Sequence, residues 1–283
     1  MELVLHTALH TLLDTAKMLP FLFGVYFLIE YLEHKASEKM EKAVAKLGTF
    51  GPVGGAVLGC IPQCGFSVAV SNLYAGRLVS IGTLLAVFIA TSDEAIPILL
   101  ANPQKAGDIL KLILAKIIIA VLFGFVADFL VKLLKKMGKF KDEPNDLCEN
   151  CGCEEKGILH SAIIHTLQIF AFLFAVSFVF GLVIELLGEE TINSLLMSGS
   201  VFQPFLSALI GLVPNCAPSV ILTELYISGS LSFGSVIAGL STGAGLGLVV
   251  LYKTNKNLKQ NIIITASLYL AGALSGMIID LIM

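Results

Sequence analysis

The chain has 283 residues, 56% of them apolar and only 14% charged, with a mean hydropathy of +0.89 and a formal net charge of −3. A soluble domain carries about 45–50% apolar and about 25% charged residues, so a water-soluble enzyme or adaptor is excluded, and no basic surface suggests a nucleic acid partner. The apolar runs are about 20 residues long and continuous rather than alternating, which marks membrane-crossing helices and not barrel strands.

In chain order, residues 5–33 read as a first helix, with His6 and His10 on one face and Glu30 near the end. Met1-Glu2-Leu3 lacks the positive region of a secretory signal, so this helix is expected in the mature protein. A Lys/Glu-rich amphipathic stretch follows at 34–46, then an apolar segment at 50–74 interrupted around Pro62. Residues 80–100 read as one helix with Thr91-Ser92-Asp93-Glu94 inside it, and 109–134 as another. A polar linker then carries Cys148, Cys151 and Cys153. The same order resumes with segments at 157–187, 201–226, 231–252 and 261–283, the second of them interrupted around Pro214. The organisation expected is repeat one at 1–139, a cytoplasmic linker at 140–156 and repeat two at 157–283.

The two halves share residues as well as order. Gly59-Cys60-Ile61-Pro62-Gln63-Cys64 returns as Gly211-Leu212-Val213-Pro214-Asn215-Cys216, and Tyr74 returns as Tyr226, at a constant offset of 152 residues. Gly82 and Gly234, Gly124 and Gly276, and Asp128 and Asp280 keep that offset; His10 and His165, and Glu30 and Glu185, are 155 apart. Loop charges orient the halves. Lys35, Lys39, Lys42 and Lys46 follow the first helix of repeat one, whereas the matching loop of repeat two holds Glu189 and Glu190. Lys132, Lys135, Lys136, Lys139 and Lys141 place the linker inside, and Lys253, Lys256 and Lys259 do the same for their loop. The fold expected is therefore an all-α integral membrane protein of two inverted-topology repeats, each with three long helices and a broken or re-entrant helix pair.

Several residues stand where chemistry is expected. Pro62 and Pro214 break a helix, and irregular backbone at membrane depth survives only against protein or a water cavity. The freed carbonyls, the Gln63 and Asn215 carboxamides and the Cys64 and Cys216 thiols could then face one site, with Ser67, Ser219, Asn72 and Glu224 following along each half-helix. The bland alternative is a tight hairpin packed through small residues. Asp93 and Glu94, with Thr91 beside them, are costly in an apolar run and demand a partner. No Lys or Arg is expected in the apolar core near them, and repeat two has Gly243-Ala244-Gly245-Leu246 instead. Cys148, Cys151 and Cys153 form a second, linker site suited to soft or borderline metals, or else are incidental cysteines of a flexible linker. His6, His10, His160, His165, Asp128, Asp280, Glu30 and Glu185 read as interfacial, with ligand duty the sharper alternative for the histidines and proton relay for the acids.

On Gly59-x-x-Pro62-Gln63-Cys64, Thr91-Ser92-Asp93-Glu94-Ala95 and Gly211-x-x-Pro214-Asn215-Cys216, the chain resembles the bacterial and archaeal family of ten-helix heavy-metal exporters, related to arsenic permeases, some of whose members are labelled manganese transporters. The resemblance covers essentially the whole chain and implies metal or metalloid export. Thiols favour soft ions or trivalent arsenic, whereas carboxylates and amides favour Mn(II) or another divalent ion. Mn(II) best accounts for the acids; Zn(II), Fe(II) and arsenite are the other cargoes weighed. No G-x-x-x-x-G-K-[ST] motif occurs, so ATP does not drive the step on this chain. The expectation is a multi-pass inner-membrane secondary transporter, surrounded by lipid, requiring no resident cofactor and coupled to a proton or the membrane potential. Transport of an oxyanion, or a membrane enzyme with Cys64 as nucleophile, are the competing classes; the latter lacks a base in the motif.

Overall fold

The computed structural model describes residues 50–60, 65–91, 95–102, 105, 107–136 and 200–282, with scattered positions between 8 and 27 and between 159 and 182. The scattered positions are all helical, and no strand occurs among the described residues. The linker, with Cys148, Cys151 and Cys153, and the amphipathic stretch at 34–46 lie outside the described residues.

Two series of helices follow each other. Repeat one has α1 (Gly51–Gly59), α2 (Gly65–Ala75), α3 (Ile81–Ala90), α4 (Ala95–Ala101) and α5 (Asp108–Lys136). Repeat two has α6 (Gln203–Gly211), α7 (Ala217–Ile227), α8 (Phe233–Thr242), α9 (Leu246–Thr254) and α10 (Leu258–Ile282). The local code recurs with the order. Pro52 and Pro204 sit in the first turns of α1 and α6, where a missing N–H costs nothing. Ser80 and Ser232 cap α3 and α8, accepting from the Thr83 and Ser235 amides at 3.1 and 3.0 Å.

One expectation is corrected. The segments at 80–100 and 231–252 are each two helices rather than one. Thr91 leaves α3 with ψ at 129°, and Gly245 caps α9 with φ at 53°, a left-handed conformation that favours glycine. The Thr91 hydroxyl donates to the Val87 carbonyl at 2.7 Å, bonding back onto the helix it leaves. Pro97 is the third residue of α4, inside the first turn, where a helix tolerates it. Among the described residues each repeat therefore has two interrupted segments and one unbroken long helix. Among them, too, four stretches are long and apolar enough to cross a membrane: Ile81–Ala101, Asp108–Leu134, Phe233–Thr254 and Leu258–Ile282.

Within each repeat the long helix crosses the capped one at glycine. The α3–α5 crossing brings Gly82 against Gly124, and the α8–α10 crossing brings Gly234 against Gly276. Small residues at a crossing let backbones approach closely, which is how helices associate in lipid. Asp128 and Asp280 then reach the ends of the crossed helices. Asp128 accepts from Gly82 N and Ser80 Oγ, both at 2.8 Å; Asp280 accepts from Gly234 N at 2.8 Å and Ser232 Oγ at 2.6 Å. These acids anchor helix N-termini, where negative charge is favoured, and that is the role their shared offset reports. Asp280→Asn turns an amide N–H toward donors, so a loss of about 1.5–3 kcal/mol is expected, read as a lower unfolding midpoint of the purified protein in detergent.

Between repeats the contacts are exchanged. α2 packs on α9, and α7 packs on α4. Tyr74 Oη donates to Gln260 Oε1 at 3.2 Å, and Tyr226 Oη donates to Asp108 Oδ2 at 2.7 Å. Asp108 and Gln260 are themselves 152 residues apart. The same kind of contact thus recurs with its partners exchanged. α3 and α8 form the centre, with Leu84, Phe88, Ile89, Ile237 and Leu240 fully buried or nearly so. The long helices turn apolar side chains outward, among them Leu110, Leu114, Ile118, Leu122 and Phe129 on α5, as a lipid-facing surface requires.

Candidate functional site

The interruptions of both repeats gather in one region. α1 ends against the end of α3: a Cβ on Gly59 would lie 2.7 Å from the Val87 carbonyl oxygen and 2.8 Å from Ala90 Cβ. α6 ends against the end of α8 in the same way, with Gly211 pressed on Gly239 and Thr242, and Thr242 Oγ1 donating to the Ala208 carbonyl at 2.7 Å. Across the repeats, a Cβ on Gly247, at the start of α9, would lie 2.7 Å from Ser67 near the start of α2. The Ser71 hydroxyl reaches the Gly247 carbonyl at 2.7 Å and that of Ser67 at 2.8 Å.

A lysine ties the two halves at this point. Lys116, on α5, is fully buried, and its Nζ donates to the Leu240 carbonyl at 2.7 Å and to the Thr91 carbonyl. Thr91 follows the end of α3, and Leu240 is among the last residues of α8. The last four carbonyls of a helix lack intrahelical partners and carry the negative end of its dipole, so an ammonium fits there. The expectation of a core without Lys or Arg is therefore wrong. Lys116 is the one charged residue in the run from Leu112 to Ala127, and the apolar residues around it masked it. Its distance from the charges at both ends, Lys111 and Asp128, was the signal that could have found it.

The residues singled out by sequence divide into four groups. Cys64, Gln63, Pro62, Asp93 and Glu94 lie outside the described residues. Cys216, Asn215, Pro214 and Ser219 are half-buried around the turn that opens α7. Cys216 is a free thiol at the N-cap position, with no side-chain bond to the helix start. Asn215 Oδ1 accepts from Ala217 N at 3.3 Å, and Ser219 Oγ lies 3.8 Å from where a Cβ on Gly243 would be. Ser67, Thr91 and Asn72 are buried, and Thr91 Oγ1 and Asn72 Nδ2 donate to Val87 and Val68 one turn back. Glu224 is exposed on α7. Sequence reasoning missed Lys116, Ser71 and the glycine-built interruption at 243–245.

The described donors are the Cys60 and Cys216 thiols, the Asn215 amide oxygen, hydroxyls and main-chain carbonyls. No group of three or more His, Cys, Asp or Glu occurs among the described residues. Hydroxyl and carbonyl oxygens suit hard divalent ions, and the thiols suit softer ones.

A family model described as "Putative, 10TM heavy-metal exporter" matches the chain over residues 2–176 and 154–283. No curated protein and no solved structure matches it.

Proposed function

The chain belongs to this ten-transmembrane family of heavy-metal exporters, and on that premise we propose a secondary transporter that moves a divalent metal, Mn(II) first, out across the inner membrane. One observation carries the reading: the helix interruptions of both repeats meet around Thr91, Ser219, Gly243 and Lys116. Interrupted helices at membrane depth present carbonyls and helix ends to a ligand, and a site shared by two repeats opens to one side or the other as they rock. Loop charges support opposite orientations for the two repeats. In this reading Cys64 and Cys216 offer thiols, Asp93 and Glu94 carboxylates, and Gln63 and Asn215 amide oxygens. Ser67, Ser219, Thr91, Asn72 and Glu224 belong to the path, and Pro62 and Pro214 keep the turns irregular. Coupling is to the proton gradient or the membrane potential.

Arsenite export is the second reading, and the Cys216 thiol, half-buried and unengaged by its own helix, favours it. The two are separated by reconstituting the purified protein in liposomes and measuring flux of Mn(II), Zn(II), Fe(II) and arsenite under an imposed proton gradient. Flux of Mn(II) well above that of arsenite is expected. Arsenite flux without Mn(II) flux moves the assignment to the metalloid, and no flux of any of the four defeats the transporter reading.

A further inference from the structure

We propose that two tyrosine contacts are the transporter's latches, one at each membrane face: Tyr226 on Asp108, and Tyr74 on Gln260. The inference rests on the metal-export reading and deepens it. Both contacts join one repeat to the other. Tyr226 Oη donates to Asp108 Oδ2 at 2.7 Å, with Lys105 Nζ 4.2 Å from the centre of its ring and Lys111 paired to the same carboxylate at 2.9 Å. Tyr74 Oη donates to Gln260 Oε1 at 3.2 Å. That oxygen also accepts from Arg77 Nη1 at 3.3 Å, and the Arg77 guanidinium lies 5.4 Å from the centre of the Tyr74 ring. Each contact thus has a tyrosine near the end of a short helix, a cation over its ring, and an acceptor at the start of the other repeat's long helix.

The two contacts stand at opposite ends of the long helices. Arg77 comes three residues before Ser80, which caps α3 and is held by Asp128. Asp128 is 20 residues along α5 from Asp108, about 30 Å at the rise of an α-helix and about the thickness of a bilayer's hydrocarbon core. Repeat two has the same layout: Ser232 follows Tyr226 by six residues and is held by Asp280, 20 residues along α10 from Gln260. The lysines that follow α5 and those around the start of α10 put the Gln260 end inside and the Asp108 end outside. The junction of Thr91 and Lys116 lies between, Lys116 being eight residues, about 12 Å, along α5 from Asp108. When one half rocks against the other, contacts within a repeat travel with it, as at the Gly82–Gly124 crossing and the Asp128 anchor. Contacts between repeats at one end must part before that end opens. The two latches differ in chemistry. Asp108 is a partly exposed carboxylate, whereas Gln260 sits with Asn255 and Asn261 in a buried amide cluster. A bond to a charged acceptor holds more strongly than one between neutral groups.

The test uses the full-length protein in spheroplasts, which expose its outer face, and in inside-out membrane vesicles, which expose its inner face. A membrane-impermeant maleimide labels Cys216, the thiol proposed above for the path, and mass spectrometry of its peptide gives the rate. Mn(II) flux is measured beside it. Tyr226→Phe keeps the ring and removes the donor. It is expected to label at least tenfold faster from outside and no faster from inside; tenfold is about 1.4 kcal/mol, near the low end for a bond to a charged group. Tyr74→Phe is expected to label about threefold faster from inside and no faster from outside, as for a neutral bond. Asp108→Asn should act as Tyr226→Phe does. Gln260→Glu gives the inner latch a charged acceptor and is expected to label at least threefold more slowly from inside. A fold that is merely loosened labels faster from both sides and slower from neither. Rates within twofold of wild type in the folded variants, or faster from both sides at once, overturn the latches, as does failure of both variants of either latch to fold; the exporter reading stands as long as wild type moves Mn(II). A wild type whose Cys216 labels from neither face overturns that thiol's place in the path and the latches with it. A wild type that moves no metal overturns the exporter reading itself.

Discussion

Gly82→Ala is expected to destabilise the protein by about 3 kcal/mol or more, at the upper end of what an added methyl costs in a packed core. The new Cβ would lie 2.5 Å from the Asp128 carboxyl carbon and closer still to the Gly124 carbonyl oxygen. Neither neighbour is a flexible tip: one is helix backbone, and the other is the carboxylate that holds the start of α3 through Gly82 N and Ser80 Oγ. Relief requires α3 and α5 to move apart, and their separation sets where Thr91 and Lys116 meet. Gly234→Ala should behave alike, since its Cβ would meet Gly276 and Asp280 in the same way. Gly54→Ala is the control: nothing lies within 4 Å of its Cβ, so it is expected to be neutral or up to about 1 kcal/mol more stable through helix propensity alone. Thermal unfolding of the three variants in detergent decides it, and equal midpoints for Gly82→Ala and Gly54→Ala would refute the close crossing.

Cys216→Ala is expected to reduce metal flux about 100-fold or more while leaving the unfolding midpoint within about 1 kcal/mol of wild type. The thiol makes no capping bond to α7 and is half-buried, so the fold loses little with it. Outer-shell partners of a metal already cost about 10–100-fold when removed, and a thiol in the role proposed above for Cys216 should cost at least the top of that range. Cys216→Ser refines the result. A hydroxyl keeps an oxygen donor of similar size, so Mn(II) flux should recover in part, whereas flux of a thiophilic ion should not. Flux of every ion at wild-type rates in Cys216→Ala would remove this residue from the pathway.

The repeat was legible because it is written in residues with a geometric job. Gly82, Gly124 and Asp128 return as Gly234, Gly276 and Asp280, and each set makes one close crossing and one helix anchor. The offset alone did not disclose that job, because an acid near a helix end reads equally well as a solvated one. The first interruption of repeat two was legible through Pro214; Pro62 lies outside the described residues. The second was not. Pro97 looks like the end of a helix when taken with the apolar run before it, but it lies in the first turn of α4, and a proline there implies a new start rather than a stop. Lys116 was hidden for a different reason. Hydropathy sums over a window, and the apolar residues around one lysine outweigh it, so its depth emerges only when α5 is placed against α3 and α8. The exchange of α2 and α7 between repeats is likewise a tertiary fact that no local pattern encodes.

That exchange has a consequence for what the two halves can afford to differ in. A chain of one repeat would present α2 without α9 and α4 without α7, and a second copy would supply both. Each half thus completes the other's packing, α2 against α9 and α7 against α4. In a homodimer of one repeat every substitution would appear twice. Joined in one chain, the copies are free to diverge: one keeps Lys116 and the other Leu268, both buried. Two linked halves can thus carry a buried charge in one and hydrocarbon at the matching position of the other.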